Sequence, residues 1–172
     1  MNALSKLHIV SHPLRISRYG AHTSLSAAER VEIIEALTDA MGTALSLLAQ
    51  LERGRQTLRN VSFLPVQQLF NRLVRANADY ADFLATGIGD LGGYTETYAL
   101  YSLNDIREPQ CFSDCLASIG QGTLRLRAVD ALLRDYRESA VANKDSASKR
   151  FFEECTRRNG YFLALIENNL LR

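Results

Sequence analysis

Apolar residues recur along most of this chain at steps of three and four, the spacing that gathers them on one side of an α-helix. Strand-like alternation persists nowhere. Four long segments carry the helical rhythm. In the first, Ser26 with Glu29 three residues later forms a capping-box pattern. Val31, Ile34, Leu37, Met41, Leu45, Leu48 and Leu51 then repeat towards an end near Gln56. The second opens at "SFLPVQQ", with Ser62 as N-cap and Pro65 in the first turn, where the missing N–H is harmless. Its stripe is Val66, Leu69, Phe70, Leu73, Val74, Tyr80, Phe83, Leu84 and Ile88, and "DLGG" offers Gly92 or Gly93 as the left-handed residue of a C-cap. The third covers roughly 112–141, with Phe112, Leu116, Ile119, Leu126, Val129, Leu132, Leu133 and Tyr136 on it. "NKDSASKR" reads as a turn. The fourth runs from about Ser146 to Asn169, with Phe151, Phe152, Cys155, Phe162, Leu165 and Ile166 inward.

The longest connection, 94–110, is "YTETYALYSLNDIREPQ". It is rich in tyrosine and is expected to hold a short helix, and a link of this length suits a crossover between parallel helices. The expected fold is therefore all-α: a four-helix bundle over residues 25–172 with a short helix in the crossover between helices 2 and 3. A basic tail at 1–24 precedes it. At 172 residues one well-packed domain is expected. The chain shows no internal sequence repeat and no low-complexity tract.

Composition adds little until charge is placed along the chain. The 47% hydrophobic and 23% charged content is ordinary for a globular protein, and a net charge of +1 gives no global nucleic-acid signature. The tail differs: Lys6, Arg15 and Arg18 precede the first carboxylate, Glu29, and His8, His12 and His22 all lie there too. No run approaches the roughly 20 apolar residues of a membrane helix, and the N-terminus lacks the apolar core of a signal peptide. A cytoplasmic protein with no membrane partner is expected. Three cysteines, Cys111, Cys115 and Cys155, fit reduced thiols. Cys111 and Cys115 stand one helical turn apart and could clasp a metal; the favoured reading makes them small buried residues.

Other constellations carry two readings each. His8 and His12 could share a metal if helical, against which Pro13 argues. Tyr94, Tyr98 and Tyr101 could trap radicals or stack, but loop tyrosines of an oligomer are more often interface residues. Glu153, Glu154 and Glu167, with Glu29, Glu32 and Glu35, could nucleate mineral, or form the polar side of amphipathic helices. Every histidine precedes residue 23, which argues against a Ser/His/Asp triad and excludes the Glu-x-x-His di-iron arrangement of helical bundles. There is no Gly-rich phosphate loop.

Several stretches resemble the Dps family, the mini-ferritins of DNA protection during starvation. "ALSLLAQ" looks like the core of that family's first helix. "VSFLPVQQLFNRL" is similar to the entry into its second, "DLGG" to its Leu-Gly-Gly stop, and "YFLALIENNL" to the close of its fourth helix. The similarity covers about residues 25–170. It implies a ferritin-like bundle, a hollow dodecamer, iron oxidation and storage, and DNA binding through a basic tail, here Lys6, Arg15 and Arg18. A nucleoid-associated location goes with DNA binding.

The resemblance also implies a ferroxidase site shared between subunits, and there the chain departs from the family. The family's second-helix His falls on Gln67 and the following Asp on Asn71. The later Asp is retained as Asp82, and the Glu after it falls on Thr86. The first-helix His falls near Arg55. Iron oxidation needs several anionic or imidazole ligands at one point. Neutral amides, one hydroxyl and a permanent cation do not supply them, so Asp82 is the one remaining metal-ligand candidate. The expectation is a Dps-like shell protein with its ferroxidase centre largely lost and no cofactor. The alternatives are a working mini-ferritin that oxidises and stores iron, and co-assembly with a second, competent Dps-like subunit. One reading of the site pairs Arg55 with Asp82 of a neighbouring subunit; the other leaves both separately in solvent. In "RLRAVD", Arg125 and Arg127 stand where the family gathers acids around its iron-entry pores, with Asp130 nearby. The pore would then attract Fe²⁺ less, unless these are simply a solvated helix face.

Overall fold

The computed structural model describes residues 24–58, 64–95 and 111–170. They form four helices: α1 (Ala27–Thr57), α2 (Leu64–Asp90), α3 (Phe112–Ala142) and α4 (Ser146–Asn169). The tail's Lys6, Arg15 and Arg18, the Ser62 cap and the expected short helix of the crossover lie outside the described residues.

Helix boundaries follow local chemistry. The Ser26 N–H donates to the Glu29 carboxylate at 2.7 Å and the Glu29 N–H donates to Ser26 Oγ at 3.2 Å, closing the capping box. These bonds hold the Glu29 carboxyl below its ordinary pKa. At the end of α2, Gly92 takes φ 91°. Its N–H reaches Gly89 C=O at 3.0 Å while the Gly93 N–H reaches Ile88 C=O at 2.8 Å, a Schellman motif. α3 ends in the same way with a lysine in the left-handed position: Lys144 has φ 56°, and the Asp145 N–H bonds to Ala140 C=O at 2.9 Å. Asp145 immediately caps α4, accepting the Ser148 N–H at 2.9 Å.

Side-chain contacts fix the helix directions. Phe70, near the start of α2, meets Phe112, the first residue of α3, at 5.7 Å between ring centroids. Gly54, near the end of α1, backs onto the same Phe70 ring so closely that a Cβ there would lie 2.7 Å from it. Leu47 of α1 packs on Gly122 of α3, and Phe83 of α2 stacks on Phe151 of α4 at 5.8 Å. Tyr136 of α3 meets Phe152 of α4 at 5.5 Å. The order is thus up, down, down, up. The main packed pairs are α1–α2, α1–α3, α3–α4 and α2–α4, so the helices form a square. Because α2 and α3 start at the same end, Leu91 and Cys111 stand at opposite ends of the bundle.

One continuous core fills the square, with Leu37, Leu51, Phe70, Leu73, Leu84, Ile88, Ile119, Leu126, Phe152, Phe162 and Ile166 at or near zero exposure. Truncating any of these to Ala would cost about 2–5 kcal/mol. The buried positions of α1–α2 recur in α3–α4 at one constant offset. Leu37 matches Ile119, Ala44 matches Leu126, Leu51 matches Leu133, Phe70 matches Phe152, Asn77 matches Asn159 and Leu84 matches Ile166. The two hairpins meet antiparallel, as an approximate two-fold axis requires. No repeat is visible in the letters because the repeat is one of burial.

On α3, Leu132 is 38% exposed and Leu133 holds the core position beside it. One expectation needs correction. Cys111 is exposed, while Cys115 and Cys155 are buried as expected. On α1 the stripe also takes in Ile33, which is buried, whereas Val31 and Ile34 are only half-buried.

Candidate functional site

The positions matched to the ferroxidase ligands fall into two groups within one chain. Arg55, Gln67 and Asn71 gather where α1 ends and α2 begins. Arg55 forms an ion pair with Glu52, one turn earlier on α1, and its guanidinium donates to Asn71 Oδ1 at 3.5 Å. Gln67 donates from Nε2 to the Leu58 carbonyl at 3.1 Å. That carbonyl belongs to the C-cap of α1, whose last C=O groups have no partner inside the helix. Gln67 therefore ties the end of one helix to the first turns of the next.

Asp82 and Thr86 stand further along α2, Asp82 roughly 16 Å from Asn71 at the helical rise of about 1.5 Å per residue. Both are exposed, and Thr86 Oγ1 donates to the Asp82 backbone carbonyl at 3.0 Å. Of the two readings of Arg55 and Asp82, paired across two subunits or separately in solvent, the single chain shows Asp82 exposed and Arg55 paired with Glu52 of its own helix. The donor chemistry of this set does not fit ferrous iron. Its cation is permanent, its amides face a guanidinium and a backbone carbonyl, and its hydroxyl is directed at the backbone. Among the described residues no group of three or more His, Cys, Asp or Glu side chains is arranged to hold a metal ion.

The pore candidates separate. Arg127 pairs with Glu167 at 2.8 Å, which raises the arginine's pKa further. Asp130 accepts from Arg134 at 2.8 Å and from Asn159 Nδ2 at 3.3 Å. Arg125 makes no ion pair among the described residues. It lines a groove of about 870 Å³ between α1 and α3, opposite Asp39, Ser46 and Gln50. The acidic residues considered for mineral nucleation are largely engaged. Glu154 takes both Arg157 and Arg158 at 2.6 Å, which with its other bonds lowers its pKa to about 2. Glu153 pairs with Lys149 at 3.6 Å, and Glu29 serves the capping box. Tyr94 is 65% exposed; Tyr98 and Tyr101 lie outside the described residues.

Sequence periodicity missed the buried polar residues. Asn77 donates from Nδ2 to the Ala44 carbonyl. Asn159, its counterpart, donates to the Leu126 carbonyl at 3.0 Å. Both are fully buried, and their Oδ1 atoms, with the Tyr80 hydroxyl, have no hydrogen-bond partner among the described residues. Burial, followed by the nearby Cys155 and Asp130, pushes the Tyr80 phenol well above its ordinary pKa. Burial pushes the Cys155 thiol up to about 12. The available signal was position: Asn77 falls between Leu73 and Tyr80 on the apolar stripe of α2.

No protein-family model matches the chain, and no curated protein matches it. No helix among the described residues is long and apolar enough to cross a membrane.

Proposed function

We propose that this chain is a Dps-like shell protein that assembles into a hollow homo-oligomer, a dodecamer by resemblance, and serves DNA protection in stress without a ferroxidase centre of its own. The up-down-down-up order, with its long return between α2 and α3, supports the ferritin-like reading. The observation that carries the loss of catalysis is the use made of the mapped ligand positions. Arg55 binds Glu52 and Asn71, Gln67 holds the Leu58 carbonyl, and Thr86 bonds the backbone. Arg55 and Gln67 link α1 to α2 and Thr86 bonds back within α2, so within the chain these side chains are engaged with protein groups. Iron would be substrate here, and no oxidation step can be written through these residues.

The test is direct. Anaerobic protein receives Fe²⁺ and then peroxide, and ferric absorbance is followed. A rate equal to the no-protein control is expected; faster oxidation makes the chain a working mini-ferritin. Light scattering after gel filtration reads the assembly, with a monomer excluding the shell. Gel shifts at low and high salt, with and without residues 1–20, read DNA association through Lys6, Arg15 and Arg18. Oxidation that appears only on mixing with a second Dps-like subunit would identify co-assembly.

A further inference from the structure

Beside the mapped position Asn71, α2 and α4 frame a surface groove of about 330 Å³ lined by Asn71, Arg72, Arg75, Ala76, Asp79 and Tyr161. Its volume lies at the small end of the range of about 300–1,000 Å³ for small-molecule sites. Arg72 and Arg75 are three residues apart on α2, so their side chains share one face. Neither makes an ion pair among the described residues, whereas Arg55, Arg127, Arg134, Arg157 and Arg158 all do. Asn71 Oδ1 already accepts from Arg55, which turns the donor end of that amide to other partners. One end of the groove therefore concentrates N–H donors without an acceptor.

A phosphate group answers that need, since its oxygens match guanidinium forks and accept charge-assisted bonds. The rest of the groove differs. Tyr161 of α4, 55% exposed, lines it with an aromatic side chain. Asp79 stands one turn beyond Arg75 and makes no ion pair among the described residues. Its carboxylate would repel a bare anion but accepts hydrogen bonds from hydroxyl or amino groups. The geometry points to a nucleotide: a phosphate ester between Arg72 and Arg75, its base on Tyr161 and its sugar or amino groups towards Asp79. The phosphate ester can come from a free mononucleotide or from the phosphorylated end of a strand.

Calorimetric titration of the full chain with AMP, inorganic phosphate and adenosine tests this. AMP is expected to bind saturably and about tenfold tighter than either part alone, as combined fork and stacking contacts require. Arg72→Gln with Arg75→Gln is expected to weaken AMP about tenfold. Tyr161→Ala should weaken AMP about fivefold and leave phosphate unchanged. These side chains are exposed, so helicity and melting should not move. Oligonucleotides with 5′-phosphate and 5′-hydroxyl ends separate the sources: preference for the phosphorylated end assigns the strand, equal binding the free nucleotide. Absence of saturable AMP binding, or unchanged affinity in the double arginine variant, overturns the proposal. The titration reads AMP binding directly, and its arginine and tyrosine variants separate it from the assembly and iron measurements.

Discussion

Ser24 and Asp145 lie 121 residues apart in sequence, yet the backbone N–H and the hydroxyl of Ser24 both reach Asp145 Oδ2 at 3.0 Å. The same carboxylate caps α4 by accepting the Ser148 N–H at 2.9 Å and its hydroxyl at 2.7 Å. One buried side chain thus joins the residues before α1 to the turn between α3 and α4. Asp145→Ala removes an N-cap and several charge-assisted bonds, and leaves buried donors unpaired. It should lower unfolding stability by about 3 kcal/mol. Urea denaturation reads the loss, and Asp145→Asn, which keeps the acceptor but not the charge, should lie between.

Lys144 occupies the left-handed position that glycine fills at the end of α2. A side chain there places Cβ against the following carbonyl oxygen, a strain of about 1–2 kcal/mol. Lys144→Gly should therefore stabilise the protein by about 0.5–1 kcal/mol after the entropy of the unfolded glycine is set against it. A lower urea midpoint for this variant would contradict the strain argument.

Tyr80 is 1% exposed and its hydroxyl finds no partner among the described residues. Removing an unpaired buried donor relieves a desolvation cost of about 1–3 kcal/mol. Tyr80→Phe is expected to be neutral or more stable by about 1 kcal/mol, whereas Tyr80→Ala, which empties the core, should cost about 3–5 kcal/mol.

The three thiols should separate in native protein at pH 8. Cys111 is exposed and should react with a thiol reagent, while Cys115 and Cys155 should react only on unfolding. Burial raises both buried thiols, Cys155 to about 12. The folded state then keeps a proton that the unfolded chain releases above its ordinary value of about 8.5. Stability should fall as pH rises from about 8.5 towards 12, and Cys155→Ala should flatten that slope.

Glu154 behaves in the opposite sense. Arg157, ahead of Arg158, holds its carboxyl down to about 2. Its contribution is present above the ordinary carboxylate pKa and disappears as pH falls from about 4.5 to 2. Partial exposure screens the pair, so the effect should be small and weakened by salt. Acid unfolding of Arg157→Gln should show a shallower loss across that window.

Local chemistry determined much of this protein without help from the fold. The Ser26–Glu29 box, the glycines of "DLGG" and the turn around Asn143–Asp145 set helix ends by bonds spanning only a few residues. The three- and four-residue spacing chose the core face of α2, where Phe70, Leu73, Tyr80, Leu84 and Ile88 are buried. α3 resisted that reading because Leu124, Leu126, Val129, Leu132 and Leu133 surround the helix, and only its neighbours settle which of them lie inside. Leu126 and Leu133 are buried, while Leu124 and Leu132 are exposed. Packing likewise sent Asn77 and Asn159 into the core, since each needs a helix carbonyl 33 residues away in sequence. The candidate site divides along the same line. The sequence could show that Gln67, Asn71 and Thr86 are poor iron ligands, and helix spacing alone brings Arg55 to Glu52 and Thr86 to the Asp82 carbonyl, but the bonds from Arg55 to Asn71 and from Gln67 to Leu58 arise from how α1 meets α2. Periodicity records which side of a helix is apolar; contacts between helices decide what that side touches.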